Sequence, residues 1–267
     1  MECIGATCHP TSACSTFNLD QGWKRIDAPF VELWGSKLLN ANDILYFIEG
    51  GELGESGGSV FQYSPRSDVW SQIAPNPHPN FPCRLNADCV SYIGNDEIFA
   101  QFYCEHHDRR TINLKFSLNE FSWFELPPNI HESNYLGKCL TVQIVEDRFG
   151  VILIGGRTLN RTSEQEITEH NTVEILDVAT EVWTEMTAFD DGWITSKVGQ
   201  YESSSSGLLH LDDKPSIIGW FNGTKVNFKE QFDVVKNVWT MEKFDMEDSD
   251  TLSNVVNIPR TIFPPCN

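Results

Sequence analysis

The stretch "VEILDVATEVW", residues 173–183, joins a short apolar pattern to a closing tryptophan. Val173, Ile175 and Leu176 are apolar, residues 177–181 form a mostly polar turn, and Val182 precedes Trp183. An apolar run of strand length, a turn and a second apolar position predict a β-hairpin. A single copy of this pattern says little, so its recurrence decides the fold.

The pattern occurs five times along the chain. The other copies are "CSTFNLDQGW" ending at Trp23, "VFQYSPRSDVW" at Trp70, "NLKFSLNEFSW" at Trp123 and "KEQFDVVKNVW" at Trp239. Seven residues before the Trp stands an apolar or aromatic residue, and in the first copy Phe17 stands six before; the others are Tyr63, Phe116, Leu176 and Phe232. Recurrence at a period near 50 residues is typical of a propeller or a solenoid.

Two further apolar runs of strand length precede each of the last four tryptophans. These runs are 32–41 and 43–51, 87–94 and 97–104, 138–145 and 150–156, and 205–212 and 215–223. Short turns such as Gly94-Asn95 and Asp212-Asp213 separate the members of a pair, which predicts hairpins. Because no segment of ten or more residues has helical periodicity, the sequence predicts an all-β fold built from four-stranded units.

The repeated unit resembles the kelch repeat family of β-propellers. The resemblance rests on three features: a glycine pair (Gly50-Gly51, Gly155-Gly156), a following apolar or aromatic residue (Tyr63, Leu176) and the closing Trp (Trp70, Trp183). It covers residues 15–258, but residues 100–102 and Gly219-Trp220 stand where two glycine pairs would be expected. The resemblance implies a propeller of four-stranded blades, and blades that cover each other's apolar faces.

Five tryptophans predict five blades in one domain over residues 1–267. In this arrangement 1–14 is a cysteine-containing N-terminal segment and 252–267 is a closing strand and tail. We expect the apolar tail to join the outer strands near Trp23 in one composite blade, since closing the ring removes an exposed sheet edge. A sixth, divergent blade is the alternative.

The chain has eight cysteines, more than is usual for a cytosolic protein of this size. The disulfide candidates are Cys3, Cys8, Cys14, Cys83, Cys89, Cys104, Cys139 and Cys266. In the composite-blade arrangement, Cys266 approaches one of the three N-terminal cysteines, which are placed before the first strand. Cys83, Cys89 and Cys104 lie around one hairpin. The alternative is that several cysteines are reduced and buried.

The formal charge of −19 argues against nucleic acid or an anionic membrane as the main partner, because phosphate binding needs basic residues. The N-terminus lacks the basic and apolar parts of a signal peptide, which favours the cytoplasm, whereas the cysteine content favours secretion. Asn160 and Asn222 begin glycosylation triplets, which would fit a secreted protein. The sequence therefore favours secretion, with the cytoplasm as the alternative.

Residue patterns that would support catalysis or metal binding are weak. The run "CEHHDRR", residues 104–110, places His106 and His107 on opposite faces of an extended strand, and its spacing fits no metal motif. The sequence has no nucleophile elbow and no phosphate-binding loop. Some kelch-like propellers are enzymes, including copper oxidases, but no metal constellation can be carried over to this chain. We therefore expect a protein without enzymatic activity, cofactor or metal.

The resemblance to kelch propellers implies that partners meet the loops between the second and third strands and those between blades. The second-to-third loops are predicted at 52–59, 105–110, 157–171 and 222–230. Residues that could bind an acidic peptide lie in two of them: Arg109, Arg110, Arg157 and Arg161, with His106. Alternatively, the arginines only neutralise neighbouring acidic residues such as Glu164.

The sequence thus favours a monomeric protein-interaction module that binds a protein partner through loops on one face. The alternative is a secreted carbohydrate-binding or enzymatic propeller whose ligand occupies the central mouth. Convergent titratable groups in that mouth would favour the alternative.

Overall fold

The computed structural model describes most of the chain between residues 5 and 244. The described residues are 5–9, 13–18, 22–27, 36–50, 57–77, 85–104, 111–131, 138–145, 148–159, 167–169, 172–188, 206–211, 214–220 and 227–244. They fall into two compact units that divide in sequence between Glu125 and Leu126. No helix in these ranges is long and apolar enough to cross a membrane.

The first unit contains three antiparallel sheets whose strands follow one another in chain order. A three-stranded sheet is formed by β1 (Gly5–His9), β2 (Ala13–Asn18) and β3 (Gly22–Asp27). The next contains β4 (Lys37–Ala41), β5 (Ile44–Ile48), β6 (Val60–Ser64) and β7 (Val69–Ala74). The third contains β8 (Leu85–Gly94), β9 (Glu97–Cys104), β10 (Thr111–Ser117) and β11 (Ser122–Glu125).

The second unit contains two four-stranded antiparallel sheets and one small hairpin. One sheet is formed by β12 (Lys138–Val145), β13 (Arg148–Ile154), β16 (Val173–Asp177) and β17 (Val182–Met186). The hairpin is formed by β14 (Arg157–Leu159) and β15 (Ile167–Glu169). The last sheet is formed by β18 (Ser206–Leu211), β19 (Lys214–Trp220), β20 (Asn227–Asp233) and β21 (Val238–Phe244).

The prediction of an all-β chain built from four-stranded units is confirmed by these four sheets. Each predicted pair of apolar runs forms the first two strands of one sheet, and each Trp motif forms the last two. The predicted closing segment 252–267 lies outside the described residues, and so do Cys3, Cys83 and Cys266. Blade number and ring closure remain predictions.

The N-terminal segment differs from the sequence prediction. Cys8 and Cys14 were placed before the first strand, but Cys8 lies in β1 and Cys14 lies opposite it in β2. The strand β1, "GATCH", escaped detection because its small and polar residues give no apolar alternation. Among the described residues, the sheet around Trp23 contains three strands, one more than the two outer strands that the motif predicts, and the tail that is predicted to join them lies outside those residues.

The hairpin that ends each repeat has the same register throughout. The apolar residue before the turn lies directly opposite the Trp, as in Tyr63 with Trp70 and Leu176 with Trp183. The remaining pairs are Phe17 with Trp23, Phe116 with Trp123 and Phe232 with Trp239. Directly opposed side chains on one face of a sheet contact each other, so this register explains the spacing found in the sequence.

Two apolar clusters lie between neighbouring sheets, one in each unit. In the first unit, Ile48 and Val60 of one sheet pack with Phe102 and Leu114 of the next, and Trp123 covers the cluster. In the second unit, Ile152 and Ile175 pack with other residues of their sheet, and with Ile217 and Phe232 of the last sheet. Blades that cover one another's apolar faces are what a propeller requires.

The glycine pair at the end of β13 has the backbone conformation that only glycine adopts readily. Gly155 has φ of 66° and Gly156 has φ of 111°. The amide of Gly155 donates a hydrogen bond of 2.9 Å to the Thr172 carbonyl, which closes the strand ends across the inserted hairpin. Gly50 is not among the described residues with positive φ; its amide donates to Ser36 Oγ at 2.8 Å. Gly51 lies outside the described residues.

Candidate functional site

The predicted binding residues lie mostly in loops that the structure does not describe. Arg109, Arg110, Arg161 and His106 fall outside the described residues, as do both glycosylation candidates, Asn160 and Asn222. Of this set only Arg157 has a described backbone position, in β14 opposite Glu169.

The segment 157–171, predicted as a plain loop, contains the hairpin β14–β15. Its strands "RTL" and "ITE" are too short for alternation to reveal them. This second-to-third connection therefore contains regular secondary structure.

The connection from β11 to β12 is described over residues 126–131, which we call the connector segment. In a four-stranded antiparallel sheet the second and fourth strands end at the same edge. The connector segment, which follows a fourth strand, therefore leaves its sheet at the same edge as the second-to-third connections. Leu126 is buried, whereas Ile130 leaves 47% of its surface exposed. The resemblance to kelch propellers implies that connections of this class, between successive sheets, are among those that meet a partner.

The connector segment is held by side chains of the sheet that follows it. Trp183 donates from Nε1 to the Pro127 carbonyl at 3.0 Å. The Glu174 carboxylate accepts hydrogen bonds from the amides of Ile130 at 2.8 Å and His131 at 3.2 Å. Asn129, itself buried, donates from Nδ2 to the His131 carbonyl at 2.8 Å. Together these bonds fix the backbone on either side of Ile130.

Glu174 is 1% exposed, and burial raises the pKa of its carboxyl group. The two amides that donate to the carboxylate oppose this rise, because they favour the ionised form. Nearby His131 also lowers the pKa, and Glu185 raises it. At Glu174, two hydrogen bonds to the ionised carboxylate therefore offset part of the free-energy cost of its desolvation.

His131 extends from the connector segment towards Glu185. Its Nε2 lies 3.6 Å from Glu185 Oε1, and the two side chains are 34% and 56% exposed. No group of three potential metal ligands occurs among the described residues. In these residues the arrangement suits recognition through a fixed backbone with mixed apolar and polar side chains.

A similar hydrogen bond from a repeat Trp to the preceding connection occurs one repeat later. Trp239 donates from Nε1 to the Thr187 carbonyl at 3.1 Å, and Asn237 Oδ1 accepts from the Thr187 amide at 2.8 Å. Pro127 and Thr187 each stand four residues after the Trp of their own repeat. The sequence contains this repeated spacing, so the hydrogen bond from each Trp to the preceding connection could have been predicted.

The clamp by Glu174 was missed, because a Glu within "VEIL" is expected to face solvent on one side of a strand. The signal that the sequence offers for it is its place nine residues before the repeat Trp, where two other copies have the apolar residues Phe61 and Leu114 and the last copy has Glu230.

Cys89 and Cys139 are each disulfide-bonded. Both were among the predicted disulfide candidates. Cys104 lies at the end of β9, opposite Leu85, while Cys89 of the same hairpin lies opposite Gln101.

Comparison with known proteins supports the fold and leaves the family open. No family model matches the chain. No curated protein matches it. A solved structure titled "Structure of YjhT" is similar, with a TM-score of 0.58 and 13% sequence identity, covering 86% of this chain and 75% of that chain. At this level of identity the likeness concerns the fold alone, and with the four antiparallel sheets it is consistent with a propeller-like architecture.

Proposed function

We propose that the chain is a kelch-type β-propeller, closed as a ring of five blades, that binds a protein partner and carries out no catalysis. The repeated Trp hairpins and the sheet architecture support the fold part of this proposal. The observation that carries the binding part is the connector segment, whose backbone is fixed on both sides of the exposed Ile130.

A fixed, partly apolar surface segment favours binding because little conformational freedom remains to be lost. Three bonds from Trp183 and Glu174 hold the connector backbone before any partner arrives. Ile130 then offers an apolar contact, and His131 with Glu185 offers polar contacts beside it. Interfaces commonly combine such an apolar centre with a polar rim.

A photo-crosslinking amino acid placed at Ile130 tests the proposal directly. The same group placed at Val182 is the matched control, since this β-branched residue is 56% exposed and lies beside the turn at the other end of β16–β17. In extracts of the source cells, we expect a discrete adduct from position 130 that excess unlabelled protein suppresses. Equal adducts from both positions would contradict the proposal.

The loop arginines favour an acidic peptide as partner. Charge reversal of Arg157 and Arg161 should then weaken the adduct formed from position 130. The matched change of Arg66, in the β6–β7 turn, should leave the adduct unchanged. If the double reversal and the Arg66 reversal change the amount of adduct equally, the acidic-peptide part of the proposal is wrong.

We further propose an extracellular location. The disulfide-bonded state of Cys89 and Cys139 supports it, since such bonds persist in oxidising compartments. Mass spectrometry of native protein tests the proposal through glycans at Asn160 and Asn222. Finding the chain in the cytoplasm with eight free thiols would overturn it.

A further inference from the structure

A second buried carboxyl group lies between the two sheets of the second unit. Glu230 is 6% exposed and stands in β20, directly opposite Ile217 of β19 and Met241 of β21. It shares a strand face with Phe232, which packs into the apolar cluster against β12, β13 and β16. Its Oε2 atom has no hydrogen-bond partner among the described residues.

Glu230 occupies the same repeat position as Glu174, nine residues before the closing Trp. The two positions differ in what surrounds the carboxyl group. The Glu174 carboxylate accepts two backbone amide bonds, whereas Glu230 Oε2 has no hydrogen-bond partner among the described residues. Ionisation at Glu174 is therefore compensated, and ionisation at Glu230 places a charge where no described group stabilises it.

We propose that Glu230 is a pH-sensitive element of the fold, whose ionisation weakens the packing of the β18–β21 sheet against its neighbour. In the protonated state the carboxyl group is neutral and fits the apolar cluster. In the ionised state the desolvated charge favours any opening that admits water.

Among the described residues, no charged group is a cause of the pKa shift of Glu230. On its own sheet, the backbone register places His210 opposite Pro215 and Lys243 opposite Phe228. On the facing sheet, the charged groups on the packed face are Lys138 at one end and, at the other, Arg148 and Asp177, which pair with each other.

Burial raises the pKa of Glu230 to about 7, with no opposing cause. The raised value means that the folded chain keeps its proton at Glu230 after the unfolded chain has lost it. Stability from this group is therefore full below the ordinary Glu pKa and falls as pH rises towards 7. From a pKa of about 4.5 to about 7, the full effect on the unfolding equilibrium constant is roughly 300-fold.

Hydrogen exchange of the β20 and β21 amides in the full chain measures this opening. After correction for intrinsic exchange, the opening constant of the wild-type protein should rise roughly tenfold more between about pH 6 and about pH 8 than that of Glu230→Gln. Glu125→Gln, which removes an exposed negative charge from the other unit, should keep the wild-type dependence.

Glu174→Gln is the matched contrast, because it changes the same repeat position where the carboxylate has backbone donors. Near pH 8 we expect Glu230→Gln to raise the melting temperature and Glu174→Gln to lower it. If Glu230→Gln also lowers it, the Glu230 carboxylate accepts bonds as Glu174 does, and the proposal is overturned. A wild-type opening constant with the same pH dependence as Glu230→Gln would overturn it as well.

Discussion

At the scale of single residues, one backbone position recurs with the tryptophan. The residue two before the Trp has positive φ in each of the four described turns: Asp68 at 58°, Phe121 at 50°, Glu181 at 55° and Asn237 at 53°. Asp and Asn tolerate this conformation better than other side chains, because their short polar groups bond locally. The repeats with Phe121 or Glu181 at this position therefore have a larger free-energy cost from the positive φ than those with Asp68 or Asn237.

Replacing Phe121 with Asn should therefore stabilise the protein. Phe121 is 49% exposed, so little apolar burial is lost, and relief of the left-handed backbone should contribute about 1 kcal/mol. Urea unfolding of both proteins measures the difference. The reverse change, Asn237→Phe, should cost more than this, because it also removes the hydrogen bond from the Thr187 amide to Asn237 Oδ1, and a gain from that change would contradict the explanation.

The tryptophans themselves combine burial with a directed bond. Trp183 is 9% exposed and donates to the Pro127 carbonyl. Trp183→Ala should cost about 3–5 kcal/mol, as for other buried aromatics, and Trp183→Phe about 1–2 kcal/mol from the lost hydrogen bond. Thermal unfolding checks both values. If Trp183→Ala melted like the wild-type protein, the packing role of the Trp would be refuted.

At the scale of strands and turns, the elements that recur in each repeat could be predicted from the sequence. Strands β9 and β12 have the predicted bounds, because long apolar runs between turn residues leave little freedom. β1 and the hairpin β14–β15 were missed, since each occurs once and is short and polar. The clamp by Glu174 depends on a contact between residues 44 positions apart, which no local pattern contains.

The pairing of β13 with β16 depends on a glycine that the motif analysis passed over. A Cβ atom added at Gly150 would lie 2.5 Å from the Leu176 carbonyl oxygen and 2.6 Å from Ile144 Cδ1. Gly150→Ala should therefore destabilise the protein by about 1–3 kcal/mol through overpacking. Denaturant unfolding measures the loss, and Ala179→Gly in the exposed β16–β17 turn serves as a control. An unchanged midpoint for Gly150→Ala would show that the two strands separate easily.

At the scale of the whole molecule, the disulfide-bonded cysteines set an expectation for the native protein. Cys89 and Cys139 should resist alkylation until a reductant is added, and reduction should lower stability by about 2–4 kcal/mol. Peptide mapping after sequential labelling with two alkylating reagents checks the first expectation, and calorimetry with and without reductant checks the second. First-reagent label on either residue in folded protein would contradict both.

The fastening of the connector segment has a consequence for anyone who recombines such repeats. Residues 126–131 follow the Trp123 hairpin in the chain, yet Trp183 and Glu174 of the next sheet hold them. Thr187 is fastened forward to Trp239 in the same way. A graft that begins after Glu125 and ends at Met186 keeps the Pro127 and Glu174 bonds intact. A graft bounded by the strands of that sheet, from Lys138 to Met186, would leave out the connector segment that the sheet holds.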